Sequence, residues 1–166
     1  MTFADLAAND DIFLDANTLV YHFASHQVFG PAANHLMTRI ENQQLGSYIS
    51  THVLTETAHR LMMIEAANLP AWKPTKVKLR LQQQPSILRT LTRFRGAVET
   101  VLQSRIQTLA IAPALVLSAA GISQQFGLLS NDALLVAVMQ AHGLTKLASL
   151  DGDFDRIPGV VRYAPA

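Results

Sequence analysis

The chain has 166 residues, 49% of them apolar and 15% charged, and at 18.1 kDa it falls among ordinary globular proteins, well away from disordered or fibrous sequences. Area scaling gives roughly 26,000 Å² of unfolded surface against about 8,000 Å² folded, so a core can form without cross-links. There is no cysteine, which excludes thiolate zinc sites, iron–sulfur clusters, cysteine nucleophiles and a disulfide scaffold.

The formal net charge of +1 conceals an asymmetry. Eight basic residues (Lys73, Lys76, Lys78, Arg80, Arg89, Arg93, Arg95 and Arg105) lie within 71–107 against one acid, Glu99, a net of +7. The remainder carries −6, from five basic and eleven acidic residues. For any single Lys or Arg a solvated helix face is the plainer reading. So dense a cluster, however, points to a polyanion or to the acidic part of the same fold. Trp72 beside it either packs or stacks on a base, packing being the more frequent fate of a lone Trp.

In chain order, the first eleven residues carry Asp5, Asp10 and Asp11 and no Lys or Arg, the opposite of a secretory signal. The longest apolar run, 109–117, is broken by Pro113 and is far short of the ~20 residues of a membrane span. A cytoplasmic protein without membrane contact is expected. Residues 11–15 read as a strand feeding a helix over about 17–26, and a second helix follows over 32–44, with Gly46 marking its end. Residues 48–50 read as a strand and about 52–67 as a helix with an apolar stripe, stopped by Pro70. The basic middle is helical in pieces, about 75–84 and 86–103, followed by a strand at 106–111. A helix over 114–126 closes on Gly127, and Ser130 or Asn131 caps another over 132–142. Short strands at 146–150 and 160–163 flank an acidic turn. This alternation implies an α/β fold with a mostly parallel sheet and helices on both faces.

In an open sheet of this kind ligands bind at the carboxyl ends of the strands. Asp15 closes the first strand, Glu56 lies early in the helix after Ser50, Asp132 opens a helix, and Asp151 follows a late strand. Taken singly, Glu56 reads as a surface acid, Asp132 as a macrodipole partner, and Asp151 and Asp153 as turn residues. Asp15, ending an apolar strand, reads as functional. Only their joint placement is informative. Two carboxylates about 4 Å apart repel by roughly 4 kcal/mol at an effective dielectric of 20, so a cluster of four calls for a cation. An all-oxygen set suits Mg²⁺ or Mn²⁺, and such an ion activates water for in-line attack on a phosphodiester.

Other motifs fail in detail. Asp15-Ala16-Asn17-Thr18 approaches the nucleophile motif of haloacid-dehalogenase-like phosphatases, but Asn17 stands at the acid/base position and Ile157 where a later acid belongs. Asp151-x-Asp153-x-Asp155 imitates an EF-hand, but Arg156 replaces its Gly and Arg162 its Glu. No dinucleotide, P-loop, α/β-hydrolase or zincin motif occurs. His22 and His26 are four apart and suit a metal pair, yet they lack a third partner, so half-buried or surface histidines are the preferred reading.

Ile12-Phe13-Leu14-Asp15-Ala16-Asn17-Thr18, Val53-Leu54-Thr55-Glu56, Asn131-Asp132-Ala133-Leu134-Leu135 and Leu147-Ala148-Ser149-Leu150-Asp151-Gly152-Asp153-Phe154 resemble, in order, the four segments of PIN-domain ribonucleases, whose small bacterial members are VapC-type toxins. The resemblance covers about 11–23, 49–62 and 128–163, leaving the basic stretch 69–107 unmatched. It implies a three-layer α/β/α PIN-like fold, a single domain over 1–166, and cleavage of RNA with Mg²⁺ or Mn²⁺. It carries over Asp15, Glu56, Asp132 and Asp151 as the catalytic and metal-binding quartet, Asp153 as an auxiliary ligand, and Asn17 and Ser149 as supporting residues. It further implies a homodimer and a cognate antitoxin, as in type II toxin–antitoxin pairs. Lys73, Lys76, Lys78, Arg80, Arg89, Arg93 and Arg95 are the expected contacts to the RNA backbone. The alternatives are a non-catalytic RNA- or protein-binding PIN-like module and, behind it, the phosphatase.

Overall fold

The computed structural model describes residues 1–70 and 75–166; Trp72 and Lys73 lie outside the described residues. Strands β1 (Asp10–Leu14), β2 (Leu45–Ser50), β3 (Gln107–Leu109), β4 (Lys146–Ala148) and β5 (Val161–Tyr163) form one sheet in the order β3-β2-β1-β4-β5. Every neighbouring pair is parallel. β1 is central, and its Ile12, Phe13 and Leu14 are wholly buried, as expected of a parallel strand covered on both faces.

Helices α1 (Ala16–Phe23) and α2 (Gly30–Glu41) join β1 to β2, and α3 (Thr51–Ala67), α4 (Val77–Gln83), α5 (Pro85–Leu88) and α6 (Arg93–Gln103) join β2 to β3. The chain then returns through α7 (Pro113–Phe126) and α8 (Ser130–Ala141) to β4 on the other side of β1. Right-handed crossovers therefore set α1–α6 on one face and the mutually packed α7 and α8 on the other, a three-layer α/β/α arrangement. Strand order reverses between β1 and β4, and there the sheet opens a crevice at its carboxyl edge. Among the described residues no helix is long and apolar enough to cross a membrane.

The structure corrects several sequence expectations. Gly46 does not end a helix. α2 stops at Glu41, Gln43 makes the turn at φ +58°, and Gly46 sits in β2, where a Cβ would collide with the Asp11 carboxylate. His22 and His26 do not share a helix face. α1 ends at Phe23; His22 pairs with Asn34 Oδ1 at 2.6 Å, while His26 Nδ1 accepts the N–H groups of Val28 and Phe29. The cap of α8 is Leu129, with Ser130 already helical.

The helix expected over 86–103 is divided into α5 and α6 because a distant carboxylate defines where α6 begins. Glu65 on α3 accepts the N–H groups of Thr92, Arg93 and Phe94 at 2.9, 3.1 and 3.2 Å, satisfying three donors that a helix start leaves orphaned. The same region has its own small apolar core, in which Ala66 of α3 meets Val77, Leu81 and Leu91 with Ile87, Leu88 and Phe94 around them. The basic segment is thus folded down onto α3, the helix that carries Glu56.

Candidate active site

Asp15 is the first residue beyond β1 and the N-cap of α1, so the buried strand aims it at the crevice beside β4. Its N–H donates to the Ala148 carbonyl at 3.1 Å, and Thr18 Oγ1 donates to the same carbonyl at 2.9 Å, stitching the start of α1 to β4. Ser149, fully buried at the end of β4, donates its hydroxyl to Asp15 Oδ2 at 2.8 Å and accepts the Asp151 N–H at 3.1 Å. Asp151 in turn caps the 3-10 turn Gly152–Arg156, its Oδ1 accepting the Asp153 N–H at 2.9 Å. One hydroxyl therefore ties two of the expected acids together.

Glu56 enters from α3, whose N-cap Ser50 accepts the Val53 N–H and fixes the first turn. Asp132 enters from the first turn of α8. The electrostatics register their convergence. Burial pushes the Asp132 carboxyl from its ordinary 3.8 to about 6, and the charges of Asp151, Asp15, Glu56 and Asp153 add to the effect in that order. Burial also raises Asp15, with Glu56 adding to it, while the Ser149 hydroxyl and the Arg60 charge oppose it. Five acids from four parts of the chain thus act on one another.

Glu56, Asp132 and Asp151 line a cavity of about 450 Å³ together with Arg60, Leu129, Ser130 and Asn131. A neighbouring space of about 520 Å³ shares Glu56, Arg60 and Asn131 and is continued by Asn17, Val20, His59, Met63 and Ile64. Asp153 does not line the cavity; it is 3.3 Å from Arg156 and has the smallest effect of the four acids on Asp132, and Asp155 is paired with Arg162. Asn17 faces Arg60, whose Nη1 donates to Asn17 Oδ1 at 2.8 Å.

Two residues next to the acids were not singled out by the sequence. Arg60 places Nε and Nη2 at 3.0 and 2.5 Å from Glu56 Oε1. His52 Nε2 is shielded, without a hydrogen-bond partner among the described residues, and 3.8 Å from Glu56 Oε2. Both stand four positions from Glu56 on α3, the helical spacing that brings side chains together and the signal that identifies them.

The expected RNA contacts are distributed unevenly. Lys76 and Lys78 are exposed and line a depression of about 390 Å³ with Met63, Ile64 and Ala67, so α3 leads from the acids to these lysines. Arg93 lines a third cavity that includes Ile64 and Glu65. Arg95 is paired with Glu99 at 2.8 Å, Arg89 is exposed, and Arg80 is half-buried.

Among the described residues no three acidic or histidine side chains already grip a common point as metal ligands would. The donor chemistry nevertheless suits a hard cation: the oxygens are carboxylates, and such an ion takes one or two of them and fills its shell with water. The unfavourable charge gathered on Asp132 is what a cation in this cavity would relieve.

The PIN domain family profile matches residues 12–160. Ribonuclease VapC2 of Methanocaldococcus jannaschii is 27% identical over 148 residues, covering 88% of each chain. Among solved structures, VapC20 of Mycobacterium tuberculosis, described as a Sarcin-Ricin loop cleaving toxin, superposes with a TM-score of 0.57 at 18% identity, over 87% of this chain and 92% of that one. PAE2754 of Pyrobaculum aerophilum gives 0.55 at 16% identity, over 92% and 88% of the two chains. At those identities the likeness is one of fold. With the profile spanning nearly all of the sequence, the chain belongs to the PIN-domain family.

Proposed function

We propose that the protein is a divalent-cation-dependent endoribonuclease, acting in the cytoplasm as the toxin of a type II toxin–antitoxin pair. The observation that carries this reading is the convergence of Asp15, Glu56, Asp132 and Asp151 near the strand reversal, where burial first and the charges of the other acids after it push the Asp132 carboxyl up to about 6. The ribonuclease name of the relative from Methanocaldococcus jannaschii supports the reaction class. The solved toxin–antitoxin complex from Klebsiella pneumoniae, with a TM-score of 0.50 at 21% identity over 90% of this chain and 95% of that one, lends its partner class to the proposal.

Asp15, Asp132 and Asp151, with Glu56, would hold Mg²⁺ or Mn²⁺, and Asp153 would assist. When bound, the ion supplies a lowered pKa to water and a counter-charge to phosphate oxygens. The chain's own part is to fix the donors. Ser149 orients Asp15 and the Asp151 segment, and Asn17 accepts from the Arg60 guanidinium that rests on Glu56 at the cavity wall. Lys76, Lys78 and Arg93 would follow the RNA backbone along α3, with Lys73, Arg80, Arg89 and Arg95 adding longer-range attraction. Because water is the nucleophile, the products carry a 5′-phosphate and a 3′-hydroxyl. Helix α7 has no charged side chain and exposes Val116 and Leu117, an apolar surface that supports a homodimer.

The test is incubation of the purified protein with defined RNAs and Mg²⁺ or Mn²⁺, with and without chelator, beside Asp15→Asn. Cleavage that chelator and the variant both abolish is expected. A fully active Asp15→Asn protein overturns the site, and metal-independent binding without cleavage favours a binding module. Turnover of a chromogenic phosphomonoester favours the phosphatase.

A further inference from the structure

Each nitrogen of the Arg60 guanidinium donates one hydrogen bond to a neighbouring side chain. Two of its N–H groups converge on Oε1 of Glu56, at 3.0 and 2.5 Å, and Nη1 donates to Asn17 Oδ1 at 2.8 Å. It thereby bridges α3 and α1 at the mouth of the acidic cavity. Its side chain is 44% exposed against 21% for Glu56, so its outer side faces the solvent from which a substrate arrives. Arg60 also belongs to the wall between the two adjoining cavities, the one holding Asp132 and Asp151 and the one running along Met63 and Ile64.

This position sets two ligands in competition. A carboxylate oxygen accepting two guanidinium N–H groups has its lone pairs occupied, and a fixed positive charge beside Glu56 and Asp15 opposes a second cation. Once Glu56 is otherwise engaged, the same planar fork matches two oxygens of a phosphodiester. We infer that Arg60 is a phosphate-binding residue that exchanges partners: it rests on Glu56 in the free protein and transfers to the non-bridging oxygens of the scissile phosphate when cation and RNA enter. In the hydrolysis itself a water oxygen forms the new bond to phosphorus, the bond to the 3′-oxygen breaks, and the proton lost by water is balanced by the one gained at the 3′-hydroxyl. Arg60 gives up no proton; it offsets charge on the phosphate oxygens.

The inference rests on the ribonuclease reading, and its test separates the two. Mn²⁺ titration by calorimetry and RNA cleavage at saturating Mn²⁺ are compared for the parent protein, Arg60→Gln and Arg60→Lys, with melting curves to establish folding. Arg60→Gln is expected to bind Mn²⁺ about tenfold more tightly, because a competing charge is gone, while kcat/KM falls roughly 100-fold, the usual loss for one charge-stabilising donor. Arg60→Lys keeps the charge without the fork and is expected to recover part of the cleavage and to bind Mn²⁺ as the parent does. If Arg60 merely propped Glu56 in place, Arg60→Gln would bind Mn²⁺ more weakly. Unchanged or weaker Mn²⁺ binding, or undiminished cleavage, overturns the partner exchange. A parent protein that cleaves no RNA with either ion overturns the underlying reading instead.

Discussion

The Ser149 hydroxyl lies 2.8 Å from Asp15 Oδ2 with no solvent exposure of its own, and the same oxygen takes the Asp151 N–H at 3.1 Å. A buried carboxylate whose charge burial disfavours is thus given one dedicated donor, and that donor is anchored to the neighbouring acid's backbone. Removing the hydroxyl leaves both acids less firmly oriented. Ser149→Ala is expected to lower RNA cleavage by about 10- to 100-fold, the usual effect of losing a residue that orients a metal ligand. Its far-UV circular dichroism should remain that of the parent. Cleavage within twofold of the parent would show that Asp15 needs no such support.

Asp132 works against the stability of the folded chain. Its carboxyl is pushed from 3.8 to about 6, up to about 3 kcal/mol of unfavourable interaction for the charged form. Because the group is only partly buried, solvent screening reduces this to about 1 kcal/mol. Between pH 3.8 and about 6 the folded state holds a proton that the unfolded state has lost. On this group's account stability therefore falls as pH rises through that window and stays low above it. Asp132→Asn is expected to raise the melting temperature of the metal-free protein at pH 7.5 by about 2–4 °C, a gain that shrinks as the pH is lowered toward 4. Calorimetric melting across that range measures it, and a destabilised Asp132→Asn at pH 7.5 would contradict the clustering.

The same proton must leave before a cation is held. Apparent Mn²⁺ affinity is expected to be level above about pH 7 and to drop about tenfold per pH unit below about 6. Titration calorimetry in two buffers of different ionisation enthalpy should detect proton release at pH 6 and none at pH 8. Affinity independent of pH between 5 and 8 would mean that Asp132 is not among the ligands.

How far the sequence revealed this site depended on whether a residue's job was local. Asp15 was legible because an acid directly after Ile12-Phe13-Leu14 conflicts with a buried strand, whereas Asp151 taken singly reads as a turn residue and stands out only beside the other acids. The parallel sheet followed from the alternation of strands and helices. Arg60 was overlooked because an arginine four residues after a glutamate is a common surface pair; its second bond, to Asn17, is 43 residues away and appears only in the fold. The boundary at Thr92 was missed for a like reason. Its cause is Glu65, 27 residues earlier on another helix, and no local propensity encodes it. Gly46 misled because glycine after a helix reads as a cap, whereas here the space is taken by Asp11 of the adjacent strand.

Glu65 carries a prediction of its own. Three backbone N–H groups at the start of α6 depend on its carboxylate, and a cap of this kind contributes about 1–2 kcal/mol. Glu65→Ala is expected to loosen α5 and α6 without unfolding the sheet. Hydrogen exchange should report faster amide exchange in Arg93–Gln103 and unchanged protection in β1 and β2. Equal loss of protection everywhere would mean that the basic segment and the sheet unfold as one cooperative unit.

If Lys76 and Lys78 follow the RNA backbone, their contribution is electrostatic and independent of base sequence. RNA binding is best measured in the Asp15→Asn background, where the strand stays whole. Each neutralised phosphate of a single strand adds about 0.7 to the slope of log K against log salt concentration, so replacing both lysines by alanine should reduce that slope by about 1.4. The loss in affinity should be similar for RNAs of unrelated sequence, because phosphate contacts position the strand without reading it. Their placement at the far end of the depression along Met63 and Ile64 adds a geometric condition: short RNAs that fill only the acidic cavity should not feel the substitutions. Oligonucleotides of increasing length therefore test the path. A penalty that is already complete for the shortest cleavable RNA, or that never appears for the longest, would remove these lysines from the binding surface.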